Sequence, residues 1–336
     1  MASFANTSVG PYNALRKAVK SEDLLTNSRS RFIRPASSQL IDHEQTIVGE
    51  TRLACVQDYS PCECYNGGYF DAEILYVSCY KVSVETVRDV FQRVNDPEIY
   101  YLDFYPLADA TTNTISITTD LLGNTSMTSG IYIRCYDTKY PNLDIDPLAF
   151  RASQNSLVSF QVDNFDLALQ KDFSFLGGFN KLESLYISNV NNLTAFQYLP
   201  PLPSLQTLTL GGCPELNQIP FPDLSPAKLK HLQLYNSDIS DQEADEIVAS
   251  LAVSNSADSL EGLYFDGNSL TRIPSQVGSA FPQLKIFNLG WNNISHIPSS
   301  SLTFAYPLEA LVLFSNRLKT IESGAFRGIN RLLNMD

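Results

Sequence analysis

The residues best suited to chemistry are four cysteines, Cys55, Cys62, Cys64 and Cys79, spaced C-x6-C-x-C-x14-C. Four thiols this close in sequence can form two disulfides or hold a tetrahedral zinc ion. Zinc modules use paired spacings of two to four residues, which this stretch lacks, so disulfides are the expected chemistry. Enzymatic chemistry has less to work with. The only histidines are His43, His231 and His296, and no metalloprotease, nucleophile-elbow, phosphate-loop or dinucleotide-binding motif occurs. His231, beside Lys230, reads as an ordinary surface residue. Asp163, Glu261 and Asp266 share an expected face. Four strand steps put Asp163 about 19 Å from Asp266, however, against the roughly 5 to 9.5 Å of a glycosidase pair. No catalytic residue, metal ligand or cofactor is assigned, and the chain reads as non-enzymatic.

The elements that position these residues are set by a repeat. The unit L-x-x-L-x-L-x-x-(N/C) recurs as Leu205, Leu208, Leu210, Cys213; Leu260, Leu263, Phe265, Asn268; Leu284, Phe287, Leu289, Asn292; and Leu308, Leu311, Leu313, Asn316. Looser copies start at Leu157, Leu182 and Leu229, with Phe165, Val190 and Ser237 in ninth place, and two longer units start at Ile99 and Thr128. Counting all of these gives about nine. Such a unit places a short strand whose leucines point inward, and the ninth residue bonds backbone groups left unpaired at the turn. One strand cannot bury its own leucines, so successive units must stack.

This pattern resembles leucine-rich repeats. The resemblance implies an α/β fold: a curved right-handed solenoid with a parallel concave β-sheet and a mostly irregular or 3-10 convex side. One longer helix is expected near 240–252, because Ser240 to Glu243 reads as a capping box and Ala244, Ile247, Val248 and Leu251 follow at helical spacing. The steps Ile273-Pro274 and Ile297-Pro298 suit an irregular or polyproline arm rather than a ladder.

The cysteine cluster resembles the N-terminal cap of extracellular leucine-rich-repeat proteins, with a longer last spacing than usual. That resemblance implies the pairs Cys55 with Cys64 and Cys62 with Cys79. The irregular first repeats after a cap look, more narrowly, like the non-catalytic leucine-rich-repeat subunit of the shrimp (Oplophorus) luciferin 2-monooxygenase complex, which would imply a subunit that stabilises a secreted enzyme. Cys213 fits a ninth-place structural thiol. Cys135, three rungs earlier at about 14 Å, is too far away to pair with it.

Three segments are therefore expected: a polar, disordered tail over 1–50, a cysteine cap and entry segment over 51–98, and the repeat array over 99–336. The array breaks off within the unit that starts at Leu332, which leaves an open end prone to self-association unless another chain covers it. Sequons at Asn6, Asn124, Asn192 and Asn293 suit an oxidising compartment. Residues 1–50 hold no signal-like apolar run, so the natural mature start is expected elsewhere, with a cytoplasmic adaptor as the alternative. The net charge of −13 argues against nucleic acid and anionic membranes, and no stretch is apolar enough to span a bilayer. The expected partner is a protein, bound on the concave face by Tyr186, Tyr235, Tyr264, Asp266, Trp291 and Phe314, aromatics interleaved with polar groups as at interface hot spots. The glycines Gly211, Gly212 and Gly267 are expected to mark close approach of that partner.

Overall fold

The computed structural model describes residues 53–336 except 56, 67–73, 95, 120, 137–139, 219–220, 225–226, 300–301, 303–307, 328, 330–331 and 336. The expected tail and Asn6 lie outside the described residues.

The cap begins with β1 (Leu53–Ala54), antiparallel to β2 (Glu63–Asn66), which is in turn antiparallel to β3 (Leu75–Val82). From β3 onward the sheet is parallel. It runs through β4 (Glu98–Pro106), β6 (Ser126–Arg134), β8 (Ser159–Asp166), β9 (Ser184–Asn191), β10 (Thr207–Gly211), β11 (His231–Tyr235), β12 (Gly262–Tyr264), β13 (Ile286–Asn288), β15 (Ala310–Val312) and β17 (Asn334–Met335). The strands β5 (Thr114–Ile117) and β7 (Asn142–Ile145) pair beside this run, and β14 (His296–Ile297) pairs with β16 (Thr320–Ile321) in a separate two-stranded sheet.

The register follows the repeat. Leu185, Leu208, Leu232, Leu263, Phe287 and Leu311 lie opposite one another along the sheet, and all are fully buried. The looser units fall in line, since Leu102 and Phe104 pair with Ile131 and Ile133, then with Phe160 and Val162. Cross-rung burial therefore stabilises each strand through its neighbours.

Ninth-place residues tie the rungs together. The Asn268 Oδ1 accepts from the Ser237 and Ile239 amides at 3.0 and 3.1 Å, while its Nδ2 donates to the Leu234 and Phe265 carbonyls at 2.7 and 3.0 Å. Asn292 and Asn316 repeat the arrangement one and two rungs on. Just before this place the chain enters the left-handed region on seven successive rungs, at Asn164, Asn189, Gly212, Asn236, Gly267, Trp291 and Ser315. Asparagine and glycine tolerate that conformation best.

The convex side carries short 3-10 segments such as Ser174–Leu176 and Leu193–Tyr198, packed on a spine of Phe150, Phe160, Phe173, Phe175 and Phe196. The expected helix is present over Asp241–Ala252, with the Ser240–Glu243 capping box formed. It is not the only one. Helix α1 (Val84–Arg93) covers the first rungs with Val84, Val87, Val90 and Phe91 and starts at Ser83, whose Oγ accepts from the Thr86 amide. With the helix over Asp241–Ala252 as α2, a four-residue turn, α3, spans Val277–Ala280. Ile273-Pro274 is irregular as expected, but at Ile297-Pro298 the expectation needs correction, because Ile297 sits in the β14–β16 ladder immediately before Pro298. The proline's missing N–H falls just outside that two-residue pairing, so it costs the ladder nothing.

Candidate functional site

The cap cysteines form two bridges, Cys55 to Cys64 and Cys62 to Cys79, with Cα atoms 5.9 and 4.3 Å apart. All four thiols are consumed, and Cys79 ties the bridges directly into β3, the first parallel strand. Cys135 and Cys213 are buried and take part in neither bridge. Burial pushes the Cys213 thiol up to about 12. No cluster that could hold a metal ion occurs among the described residues.

Outward residues alternate with the leucines along each strand, and tyrosine dominates them. Tyr76, Tyr80, Tyr101, Tyr105, Tyr132, Tyr186, Tyr235 and Tyr264 are eight of the 17 tyrosines in the chain. The charged residues facing out with them include Glu63, which lies opposite Ser78, and Asp103, Arg134 and Asp163, with Asp266 just beyond β12. The face is thus rich in tyrosine and holds more acid than base, like the rest of the chain.

The six residues expected to form one stripe fall into separate groups. Trp291 and Phe314 meet edge to face at 5.7 Å, with Trp291 exposed. Tyr264 lies beside His231 at 6.4 Å, and Asp266 accepts from the Asn288 Nδ2 at 3.0 Å. Burial pushes the Asp266 carboxyl up to about 6 and pulls His231 below its usual value. Tyr235 lies over Gly211, and Tyr186 sits apart from the others on β9.

The expectation about glycine is overturned. A Cβ on Gly211 would fall on the Tyr235 ring, and one on Gly262 would meet His231 Nδ1 at 2.5 Å and the Tyr264 ring at 2.7 Å. Gly212 lies 2.6 Å from Asn189 Oδ1 by the same measure, and Gly267 abuts Asn236. These gaps are filled from within the molecule, so they accommodate neighbouring side chains and not a partner.

The densest aromatic group was missed. On three successive strands the same triplet recurs: Tyr76-x-Ser78-x-Tyr80, Tyr101-x-Asp103-x-Tyr105 and Tyr132-x-Arg134-x-Tyr136. One row runs Tyr76, Tyr101, Tyr132, with centroids 5.9 and 4.2 Å apart; the other runs Tyr80, Tyr105, Tyr136, at 5.5 and 5.0 Å, the last pair stacked. Between the rows the Arg134 guanidinium lies over the Tyr132 ring at 5.1 Å, with Nε 3.8 Å from Asp103 Oδ1. The Tyr105 hydroxyl donates to Asp103 Oδ2 at 3.1 Å, and Arg134 Nη1 reaches that hydroxyl at 3.4 Å. Burial lowers the guanidinium's pKa, but Asp103 and the tyrosines outweigh it, so Arg134 stays charged. The Y-x-x-x-Y spacing was the available signal, hidden because these rungs depart most from the leucine pattern.

The sequon asparagines differ in access. Asn124 is exposed in a turn, whereas the Asn192 Nδ2 donates to Asp166 Oδ1 at 2.9 Å and Asn293 is half-buried.

A family model described as leucine rich repeat matches residues 282–336, the units with the most regular spacing. The register set out above extends the same unit back to β4. The chain carries leucine-rich repeats. It carries an N-terminal cysteine cap, and its fold is the α/β solenoid expected of such repeats. Among solved structures, an internalin (inlF) from Listeria monocytogenes is similar at 17% identity and a TM-score of 0.39, over 78% of this chain and 86% of that one. No helix among the described residues is long and apolar enough to cross a membrane.

Proposed function

We propose that this repeat protein is a non-enzymatic recognition module, secreted or displayed at the cell surface, that binds a protein partner on the concave face of its sheet. The observation carrying this reading is the composition of that face: tyrosine rings set among polar side chains. Tyrosine supplies large contact area with little rotamer entropy to lose, which is why it dominates paratopes and interface hot spots. Leucines bear the fold, leaving the outward positions free for recognition. The two cap bridges support an oxidising compartment, and Asn124 is the sequon best placed to carry a glycan.

Two measurements test this. Non-reducing peptide mapping of protein from its native source should find the cap cysteines paired and Asn124 occupied; free thiols and bare asparagines would make the protein an intracellular adaptor. Affinity capture should then compare wild type with the double variant Tyr264→Ala, Trp291→Ala and with the double variant Tyr80→Ala, Tyr136→Ala. Loss of the same partner from at least one of these folded variants is expected, and full capture by both would place the binding surface off the concave face.

A further inference from the structure

We infer that Tyr105 and Tyr136 form an oxidative cross-linking site, at which hydrogen peroxide, acting through a haem peroxidase, joins the two rings as dityrosine. This site is chemically independent of what docks on the concave face.

Ring geometry points to the reaction. Tyr105 on β4 and Tyr136 just after β6 stand 31 residues apart in sequence, yet their rings stack with centroids 5.0 Å apart and planes inclined by 17°. Their hydroxyl oxygens lie 3.4 Å from each other. Rings stacked with their hydroxyls together also bring together the carbons ortho to those hydroxyls, at roughly van der Waals distance. A phenoxyl radical carries much of its unpaired spin on these ortho carbons, in orbitals perpendicular to the ring. Two such radicals therefore couple through their faces, the approach this pair already has.

The electrons and protons also have a way out. Tyr136 is 65% exposed, so an oxidant too large to enter the fold can reach its ring. Its hydroxyl donates to the Tyr105 hydroxyl, which donates to Asp103 Oδ2 at 3.1 Å. A phenol gives up an electron more readily when a base takes its proton, and Asp103 stands where that proton leaves. Hydrogen peroxide takes one electron and one proton from each phenol and becomes two waters. One carbon–carbon bond forms between the ortho carbons, and the proton on each coupled carbon moves to its oxygen, restoring both hydroxyls.

Neighbouring pairs each lack part of this arrangement. Tyr101 and Tyr132 are closer, at 4.2 Å, but their planes are tilted by 44° and both are half-buried. Tyr80 is exposed, but it meets Tyr105 edge to face at 63°. The new bond would tie β4 to β6, a covalent link between rungs beyond the two bridges of the cap.

The test is to treat the dilute full chain with a haem peroxidase and hydrogen peroxide, follow dityrosine fluorescence, and map tryptic peptides of the monomer by mass spectrometry. Trypsin separates the two residues, leaving Tyr136 in the peptide Cys135–Lys139. That peptide should be found joined to the one ending at Arg134, at the cost of two hydrogen atoms, with fragment ions placing the bond at Tyr105. Tyr105→Phe and Tyr136→Phe keep the rings and their packing, which circular dichroism checks, and each should abolish dityrosine in the monomer. Tyr80→Phe should leave the yield unchanged. A wild-type monomer without dityrosine, a bond mapped to Tyr101 and Tyr132, or dityrosine persisting in either of the first two variants would overturn the inference.

Discussion

The asparagines that join the rungs make a quantitative prediction, because their removal does not strand equal numbers of backbone groups. Replacing Asn292 by Ala removes its bonds to the Phe265, Leu289 and Gly290 carbonyls. Each carbonyl keeps another donor: Asn268 for Phe265, Asn316 for Leu289 and the Gly267 amide for Gly290. Only the Leu270 amide loses its acceptor, at 3.0 Å. Asn268→Ala strands two amides instead, Ser237 and Ile239, both fully buried. A stranded buried amide costs about 1 to 3 kcal/mol and each lost shared bond adds about 0.5 to 1. Counting the stranded amides alone, the expectation is about 1 to 3 kcal/mol for Asn292→Ala and about 2 to 6 for Asn268→Ala, with the lost carbonyl bonds adding to both. Asn316→Ala strands one amide, that of Ile294; Asn316 itself is half-buried, so water can reach the space it leaves and this variant should cost least. Urea unfolding followed by the fluorescence of Trp291, the single tryptophan, reports on these same rungs, with circular dichroism as the second probe. Equal midpoint shifts for the three variants, or the largest shift at Asn316, would refute this assignment of the ninth place.

Other expectations concern single groups. The Asp266 carboxyl, raised from 3.8 to about 6, is protonated more readily in the folded chain than in the unfolded one. Below about pH 4 both states hold the proton and nothing is lost; as pH rises through 6 the folded chain loses up to about 3 kcal/mol relative to the unfolded one. Asp266→Asn should remove that slope from stability measured between pH 4 and 7, and an unchanged slope would contradict the assignment. Gly211→Ala should destabilise by about 1 to 3 kcal/mol by lifting the Tyr235 ring, and the cost should shrink in a Tyr235→Ala background; a purely additive double variant would mean the ring is not seated there. Cys213, with its thiol raised to about 12, should resist thiol reagents in the native chain and react after unfolding, as mass-spectrometric labelling can show.

The inward half of the fold was legible in the sequence because leucine spacing and burial are the same fact. Leu263 and Leu289 could be placed from spacing alone, and Ser240–Glu243 announced a helix by local chemistry. Helix α1 went unread because it precedes the first clear unit and Val84, Val87, Val90 and Phe91 carry no leucine signature. The outward half was less legible, since contacts between rungs depend on register: Tyr235 and Gly211 are 24 residues apart, and nothing local says that the ring of one fills the space left by the other. The same limit hid Tyr80, Tyr105 and Tyr136, whose contact requires three strands to be aligned.

The seating of aromatic rings over glycines bears on how such a face can evolve. Where an outward residue does not cover a glycine on the next rung, one substitution can change the surface presented to a partner. Where Tyr235 covers Gly211, or Tyr264 and His231 close over Gly262, enlarging the glycine displaces the ring and removing the ring uncovers backbone. Rungs of the second kind accept new specificity only through paired changes on adjacent repeats. Duplicating or deleting a single repeat would break up such pairs, so units holding them are the ones this array should inherit as blocks.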